Sequence, residues 1–235
     1  MSWMILMGVV AGVVTTVAGM GGGMLLLLGL AALTDPLSAL AVTAPALLVG
    51  NLHRVWLYRA KLSRPTAKAL ALGALPGAVV GGLAATQLPE MVLQTAMLLL
   101  AGLAVARAMG WLKWSPPAVA TLPMGFVTGG ITATSGGAGV LLGPFLLARG
   151  LVGPAYVGTM AVGAVAMHTG RLAAYGLGGI VDRRVILQGL GLALAIMVGN
   201  LAGDRLRLLL GEVGQKRVQL TVLVTLAALA VGGVA

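Results

Sequence analysis

The sequence predicts an all-α polytopic membrane protein built from two homologous repeats. Three observations predict this fold class: a composition that is 59% hydrophobic and only 9% charged, about eight long apolar stretches, and a glycine pattern that occurs twice. Soluble domains carry about 25% charged residues, so this chain has too few to cover a water-facing surface. Lipid must therefore surround most of its outside.

The apolar stretches set the number and kind of helices. A membrane helix needs roughly 20 apolar residues, and six stretches fit one crossing each, at 37–58, 66–86, 90–110, 153–176, 184–203 and 217–234. The other two, at 2–33 and 117–150, are too long for one crossing, and a glycine cluster interrupts each near its middle. We therefore predict two glycine-broken or re-entrant helices, each followed by three transmembrane helices.

The two long stretches also mark an internal repeat. A shift of 117 residues places Gly8, Gly12, Gly19 and Gly22 on Gly125, Gly129, Gly136 and Gly139, Thr15 on Thr132, Arg54 on Arg171 and Tyr58 on Tyr175. Chance overlap would match far fewer glycines, so the two halves are copies of one unit. We predict a first repeat over 1–110, a linker over 111–116 and a second repeat over 117–235.

The charged residues predict how the chain lies in the cell membrane. Fifteen Lys and Arg against five Asp and Glu give a net charge of +10. The basic residues cluster between apolar stretches, which is typical of the positive-inside rule and not of nucleic-acid binding. Re-entrant hairpins would make the repeats inverted, with twelve basic residues on the cytoplasmic side and three, namely Arg171, Arg183 and Arg184, opposite. Fully crossing broken helices would make them parallel, with a division of ten to five, so the charges favour inversion.

The glycine clusters form the first candidate site. A helix broken inside lipid leaves N–H and C=O groups unpaired, which is tolerated only where they face protein or a wet cavity. The second half-helix begins with free N–H donors and a partial positive charge, which favour an anion. The predicted substrate-binding residues are Thr16, Gly21, Gly22, Gly23, Thr134, Ser135, Gly137, Ala138 and Gly139. The alternative is that the glycines pack helices and the hydroxyls satisfy local carbonyls.

Two matched polar pairs form the second candidate site. Asn51 and Arg54 lie three residues apart, as do His168 and Arg171 in the second copy, so each pair shares one helix face. Ionisable residues inside a membrane indicate function, and we assign these four to gating or to attraction of the anion. The alternative for the arginines is that they snorkel from helix ends to headgroups. We expect Asn200 to form an interhelical hydrogen bond.

Missing residue types narrow the function further. No acidic residue lies in the middle of an apolar stretch, so a buried carboxylate relay or cation site is unsupported. The chain has no cysteine and no HExxH, Walker or GxSxG motif. We therefore predict no metal site, no cofactor and no enzymatic activity.

The opening segment 8–23 has the form GxxxGxxxxxxGxGGG, and 125–139 is its degenerate copy. Together with the stretch LPGAVVG at 75–81, this pattern resembles the sulfite exporter TauE/SafE family of membrane permeases over about 3–233. The resemblance implies transport of small anions such as sulfite and organosulfonates. Ala138 and Val140 replace the glycines of the first copy, which implies an asymmetric site.

These observations predict a secondary transporter of a small anion, sulfite or an organosulfonate, bound near the middle of the membrane between the two broken helices. An anion channel with the same site and a scaffold subunit that transports nothing are the alternatives. The expected partners are the anion and the lipid bilayer, without nucleic acid. A homodimer is a candidate assembly, because so small a bundle must bury its moving elements somewhere.

Overall fold

The computed structural model describes residues 2–18, 22–111, 120–137 and 139–232, and the regular elements among them are α-helices. They are α1 (Ser2–Ala18), α2 (Gly22–Leu33), α3 (Pro36–Tyr58), α4 (Arg64–Ala85), α5 (Glu90–Ala108), α6 (Thr121–Ser135), α7 (Gly139–Ala148), α8 (Gly153–Leu177) and α9 (Arg183–Gly232). α3, α4, α5 and α8 begin and end within two residues of the predicted stretches. Gly21 and Ala138 of the predicted site lie outside the described residues.

Two of the carboxylates begin helices. Asp35 Oδ1 accepts a hydrogen bond from the Ser38 N–H at 2.7 Å, just before α3. Asp182 Oδ1 accepts one from the Val185 N–H at the start of α9, also at 2.7 Å. A helix N-terminus leaves such N–H groups without partners. Helix capping therefore explains why these acidic residues lie at the ends of apolar stretches.

The segment after residue 203 differs from the prediction. α9 consists of two helices that meet at Gly211, where φ is 59° and ψ is −173°, so the helix that begins at Arg183 extends past 203 to this glycine. The predicted helix end at 203 is wrong because residues 205–210 are all arginine or leucine, which are strong helix formers. The chain turns at Gly211, since glycine adopts positive φ without steric cost.

Four of the described helical spans are long and apolar enough to cross a membrane: Pro36–Tyr58, Arg64–Ala85, Glu90–Arg107 and Arg183–Gly203. Large apolar side chains lie on the outside, such as Leu99 and Leu201, which are 69% and 70% exposed. Lipid solvates such side chains, whereas water does not. The described part of the chain is helical, and the chain is a polytopic integral membrane protein.

α1 and α2 lie antiparallel. Gly22 at the start of α2 packs on Thr15, because a Cβ added there would lie 2.1 Å from Thr15 Oγ1. Gly29, near the other end of α2, packs in the same way on Met7. The start of α1 and the end of α2 therefore lie at the same end of the bundle.

α6 and α7 are antiparallel as well. α4 runs in the same direction as α6 and α8, as shown by the contacts of Gly73 with Leu122, Gly81 with Gly130, Gly163 with Leu70, and Gly82 with Ala174. α7 runs the opposite way along α8, because Gly139 approaches Met160 and Gly143 approaches Tyr156. The start of α6 and the end of α7 therefore also lie at one end of the bundle.

The two ends of the bundle differ in charge. α4, α6 and α8 begin at the basic end, which carries Arg59, Lys61, Arg64, Lys68 and Arg149. The opposite end, here called the acidic end, carries Asp35, Glu90 and Asp182 together with Arg183 and Arg184. The α1–α2 pair opens toward the acidic end, where Trp3 and Thr34 line the same cleft as Asp182. The α6–α7 pair opens toward the basic end.

The closest helix crossings are made through glycine. Where α1 crosses α9, a Cβ on Gly12 would lie 2.3 Å from the Ile196 carbonyl oxygen. Where α6 crosses α4, a Cβ on Gly129 would lie 2.3 Å from the Ala74 carbonyl oxygen. Small residues allow backbones to approach this closely in membranes. Each antiparallel pair therefore packs tightly against a long helix from the other half of the chain.

Candidate anion-binding site

Arg171 of α8 lies inside the helix packing, with 1% of its surface exposed. Its Nη1 donates to the Thr132 carbonyl oxygen at 3.5 Å, and its Nη2 donates to Thr43 Oγ1 at 3.4 Å. Both distances exceed the usual range of N–H···O bonds, so the two bonds are weak. The Nε atom has no hydrogen-bond partner.

This burial corrects two expectations for Arg171. The charge count placed it at the non-cytoplasmic surface, and the alternative interpretation had it snorkel to headgroups. A side chain with 1% exposure reaches neither water nor headgroups. Arg171 lies fewer than two turns before the end of α8 at Leu177, but α3, α4 and α6 surround it there.

No carboxylate among the described residues pairs with Arg171. The Asp35 and Asp182 side chains instead accept hydrogen bonds from backbone N–H groups at helix starts. Burying an ion costs several kcal/mol unless a partner compensates it, and arginine remains charged in proteins. A buried guanidinium with a free donor and no carboxylate has the chemistry of an anion-binding group.

His168 lies three residues before Arg171, on the same face of α8. It is 6% exposed, and its Nδ1 has no hydrogen-bond partner. The His168 imidazole interacts electrostatically with the Arg171 guanidinium. Among the described residues, His168 Nδ1 and Arg171 Nε are the two buried side-chain nitrogen or oxygen atoms without a partner. Both therefore belong to one small region.

The C-terminal end of α6 lies beside this pair. α6 ends at Ser135, and Gly136 and Gly137 follow with φ of 66° and 65°, geometry that favours glycine. Tyr175, one turn after Arg171, donates a hydrogen bond to the Ala133 carbonyl oxygen. Arg171 and Tyr175 thus contact carbonyl groups in the last turn of α6, which is the negative end of the helix dipole.

Thr43 of α3 completes the cluster, and the sequence analysis missed it. It is 1% exposed, and its hydroxyl donates to the Ala39 carbonyl oxygen at 2.8 Å, so its oxygen can accept from Arg171. A signal was present, because Thr43, Asn51 and Arg54 fall on one face of α3 at helical spacing. That stripe of polar residues leads from the helix end to the buried cluster.

The predicted backbone donors differ in burial and in what they contact. Gly22 is buried against Thr15, whereas Gly23 and Gly139 are exposed. A Cβ on Gly137 would lie 2.8 Å from Met24 Cε. The second glycine segment therefore contacts the first turns of α2, and it does so through an apolar side chain.

The predicted hydroxyls already have partners. Thr16 Oγ1 donates to Asn200 Oδ1 at 3.2 Å, which confirms the expected interhelical hydrogen bond of Asn200. Thr134 Oγ1 donates to the Gly130 carbonyl oxygen at 3.2 Å and lies 3.3 Å from Ser135 Oγ. These bonds favour the interpretation in which the hydroxyls satisfy groups of the protein itself.

The matched pair on α3 lies in a different environment. Asn51 is 9% exposed and donates from Nδ2 to the Leu47 carbonyl oxygen at 2.8 Å. Arg54 is exposed. Within the described residues, α3 does not pack along α1, whereas α8 packs along α6. The structure therefore gathers His168 and Arg171 at the second glycine segment and keeps Arg54 away from the first.

A polar cleft of about 400 Å³ opens at the acidic end. It lies between the starts of α1, α3 and α9 and the end of α2, and its polar lining includes Thr34, Ser38, Asp182, Arg184 and Gln188. Of the α3 residues that line the cleft, Val42 is the farthest from the start of the helix, and it is the neighbour of Thr43. The cleft therefore extends along α3 to the level of the buried cluster, on a different face of that helix.

The apolar helix bundle defines an integral membrane protein, and its buried Arg171 has no carboxylate partner among the described residues. Comparison with protein families gives the particular family: a model of the sulfite exporter TauE/SafE family matches residues 4–232. The chain belongs to this family, which confirms the resemblance drawn from the glycine pattern. No curated protein and no solved structure matched the chain. The family consists of membrane permeases for sulfite-like anions, not of enzymes, so this chain is a membrane transporter of a small anion.

Proposed function

We propose that this protein is a secondary transporter that carries sulfite or an organosulfonate across the cell membrane, with Arg171 holding the anion. The observation that carries the proposal is the environment of the Arg171 guanidinium. It is buried, its two hydrogen bonds are 3.4 and 3.5 Å long, and its Nε has no partner. An anion that replaces these weak contacts gains a charge-assisted hydrogen bond in a low-dielectric setting.

The proposed site lies between the two halves of the chain. Thr43 comes from the first half, and His168 and Arg171 come from the second. The N-terminus of α7 follows Gly137, and its partial positive charge would add to the attraction of an anion. Gly22 and Gly23 begin α2, whose residue Met24 lies against Gly137, so the starts of both half-helices approach the same region.

We further propose that the two halves are inverted repeats with a glycine-broken, re-entrant helix in each. The α1–α2 and α6–α7 pairs are both antiparallel and open at opposite ends, which supports this arrangement. The crossings at Gly12 and Gly129, which the 117-residue shift superimposes, have equal Cβ clearances of 2.3 Å. Repeats related by an axis in the membrane plane have this geometry, with a substrate site at their interface.

The charge difference between the two ends supports an orientation. Basic residues face the cytoplasm in short loops of membrane proteins, so we propose that the basic end is cytoplasmic and the acidic end external. The cleft lined by Thr34, Ser38 and Gln188 would then be the external entrance. Movement of one re-entrant pair against its neighbours would open Arg171 to one side and then to the other.

The test is anion flux into proteoliposomes that contain the purified protein. We expect saturable uptake of sulfite or a short organosulfonate. Arg171→Gln should lower that flux by roughly 30-fold or more, because loss of a buried charge partner costs about 2–5 kcal/mol. The matched control is Arg54→Gln, which removes an equal charge at the repeat-related position that is exposed and should keep most of the flux.

Two alternatives have distinct outcomes in the same assay. The hydrogen bonds of Arg171 and Tyr175 to the end of α6 favour a second candidate function, a scaffold in which Arg171 only holds α6 in place. A scaffold moves no anion, even when the protein is folded and inserted. An anion channel would pass chloride without saturation. Either result would remove the transporter proposal.

A further inference from the structure

The guanidinium of Arg171 is held at two nitrogens and unpaired at the third. Nη1 donates to the Thr132 carbonyl oxygen, and Nη2, which has two hydrogens, donates to Thr43 Oγ1. Nε has no partner. The Nε–H and one N–H of Nη2 point the same way from a guanidinium, and such a pair of parallel donors binds two oxygens of one anion. The edge that carries Nε is therefore the edge suited to an oxyanion.

His168 supplies a further donor one helical turn away. Its Nδ1 is buried without a partner, and residues i and i+3 of a helix are neighbours on one face. In the tautomer or charged form that carries hydrogen at Nδ1, this atom is a single hydrogen-bond donor. It lies on α8 before Arg171, so it approaches a bound anion from a different direction than the guanidinium edge.

We infer that His168 selects anions that carry three oxygens on one head atom over anions that carry two. This inference rests on the proposed function, because it concerns the same site. The Arg171 edge binds two oxygens of a sulfonate, of sulfite or of a carboxylate alike. A pyramidal sulfur head has a third oxygen outside the plane of that edge, which accepts from His168 Nδ1. A planar carboxylate has no atom there.

The size of the selection follows from the cost of an unpaired buried donor. A carboxylate in the site leaves His168 Nδ1 without an acceptor, and such a loss corresponds to about a 10- to 100-fold weaker binding constant. Sites that pair a substrate oxygen reject analogues without it for this reason. Arg171 contributes to both anion types and therefore sets affinity without setting this preference.

The experiment compares methanesulfonate with acetate, which have one methyl group each and differ in the head. Both are tested as competitors of radiolabelled sulfonate uptake in proteoliposomes, and both are tested for thermal stabilisation of the purified protein. We expect methanesulfonate to compete about 10- to 100-fold better than acetate in the unmodified protein. His168→Leu should bring the two within about threefold of each other, mainly by weakening methanesulfonate.

A matched variant separates the donor from the shape of the ring. His168→Asn keeps an amide N–H close to the position of Nδ1 and should keep most of the preference, while His168→Leu loses it. Equal competition by acetate and methanesulfonate in the unmodified protein overturns the inference and leaves the transporter proposal intact. An unchanged preference in His168→Leu overturns it as well. If the unmodified protein moves neither anion, the proposed function fails first and this inference fails with it.

Discussion

The two glycine segments share one sequence pattern but lie in different surroundings. At the second segment, α8 packs along α6, and Arg171 and Tyr175 contact carbonyl groups in the last turn of α6. At the first, α3 stands away from α1, and the repeat-related Arg54 is exposed. The end of α1 is bonded instead by Asn200 of α9 through Thr16. The second half therefore buries its arginine, whereas the first half exposes the matching one.

The cause of this difference lies in the helix that carries each arginine. α8 is held between α3 and α4 through Gly158, Gly163 and Gly170, where an added Cβ would lie within 3 Å of neighbouring atoms. The matching part of α3 exposes Leu52, Trp56 and Leu57. Small residues allow a membrane helix to pack closely between its neighbours, whereas exposed large apolar residues face the lipid. Two stretches with matching residues thus lie in different environments.

The difference between the two arginines is tested most directly by replacing each with methionine, which is similar in length and uncharged. We expect Arg171→Met to abolish uptake while the free energy of unfolding stays equal or rises by about 1–3 kcal/mol, because an uncompensated buried charge is removed. The Thr132 carbonyl keeps its bond from the Gly136 N–H, so no acceptor is left unpaired. Thermal unfolding in detergent measures the stability.

Arg54→Met is the control for this pair, and it should change neither uptake nor unfolding temperature by much. A clear loss of stability in Arg171→Met would show that Arg171 is a structural residue that holds α6. In that case the two halves differ in packing alone, and the anion site must be sought elsewhere.

The helix crossings are the part of the comparison in which the two halves should behave alike. A Cβ on Gly12 or on Gly129 meets a backbone carbonyl oxygen at 2.3 Å, and backbone cannot move aside cheaply. We expect Gly12→Ala and Gly129→Ala each to lower the free energy of unfolding by about 1–3 kcal/mol. Gly102→Ala is the control, since nothing lies within 4 Å of its added Cβ. Unequal losses at the two crossings would contradict the inverted-repeat proposal.

Much of the fold could be predicted because a membrane helix requires an apolar stretch of roughly 20 residues, which is visible in the sequence. The crossings at Gly12 and Gly129 are visible in the sequence as glycines, since only small residues fit there. The extension of the first helix of α9 past 203 was missed because the predicted bounds followed the apolar stretch, although the arginines and leucines at 205–210 favour a helix. The family followed from glycine spacing, which these same crossings require.

The site was harder to predict because burial depends on tertiary packing. His168 and Arg171 were predicted from their spacing, but Asn51 and Arg54 have the same spacing, and Arg54 is exposed whereas Arg171 is buried. Thr43 lies 128 residues from Arg171 in the chain, and a contact over that distance is invisible without the fold. The hydroxyls beside the glycines were named for their chemistry, and most of them bond to their own helix, as threonine commonly does.

Tyr175 gives a smaller test of the second segment. Its hydroxyl donates to the Ala133 carbonyl oxygen and is buried. We expect Tyr175→Phe to lower the free energy of unfolding by about 1 kcal/mol, because one hydrogen bond is lost and the ring is kept. The repeat-related Tyr58→Phe should cost less, since α3 does not pack along α1. Equal effects in the two variants would indicate that Tyr175 does not hold the end of α6.

The smallest expected effect concerns the first segment. Thr16→Val keeps the shape of the side chain and removes the hydrogen bond to Asn200 Oδ1. Interhelical hydrogen bonds in membranes contribute about 0.6 kcal/mol on average, so the unfolding temperature should fall only slightly. Anion uptake should stay within about twofold, because the hydroxyl serves packing of α1 on α9, and Arg171, which we propose holds the anion, lies at the other segment. A large loss of uptake with unchanged stability would instead assign Thr16 to the substrate, and both glycine segments would then contact the anion despite their different surroundings.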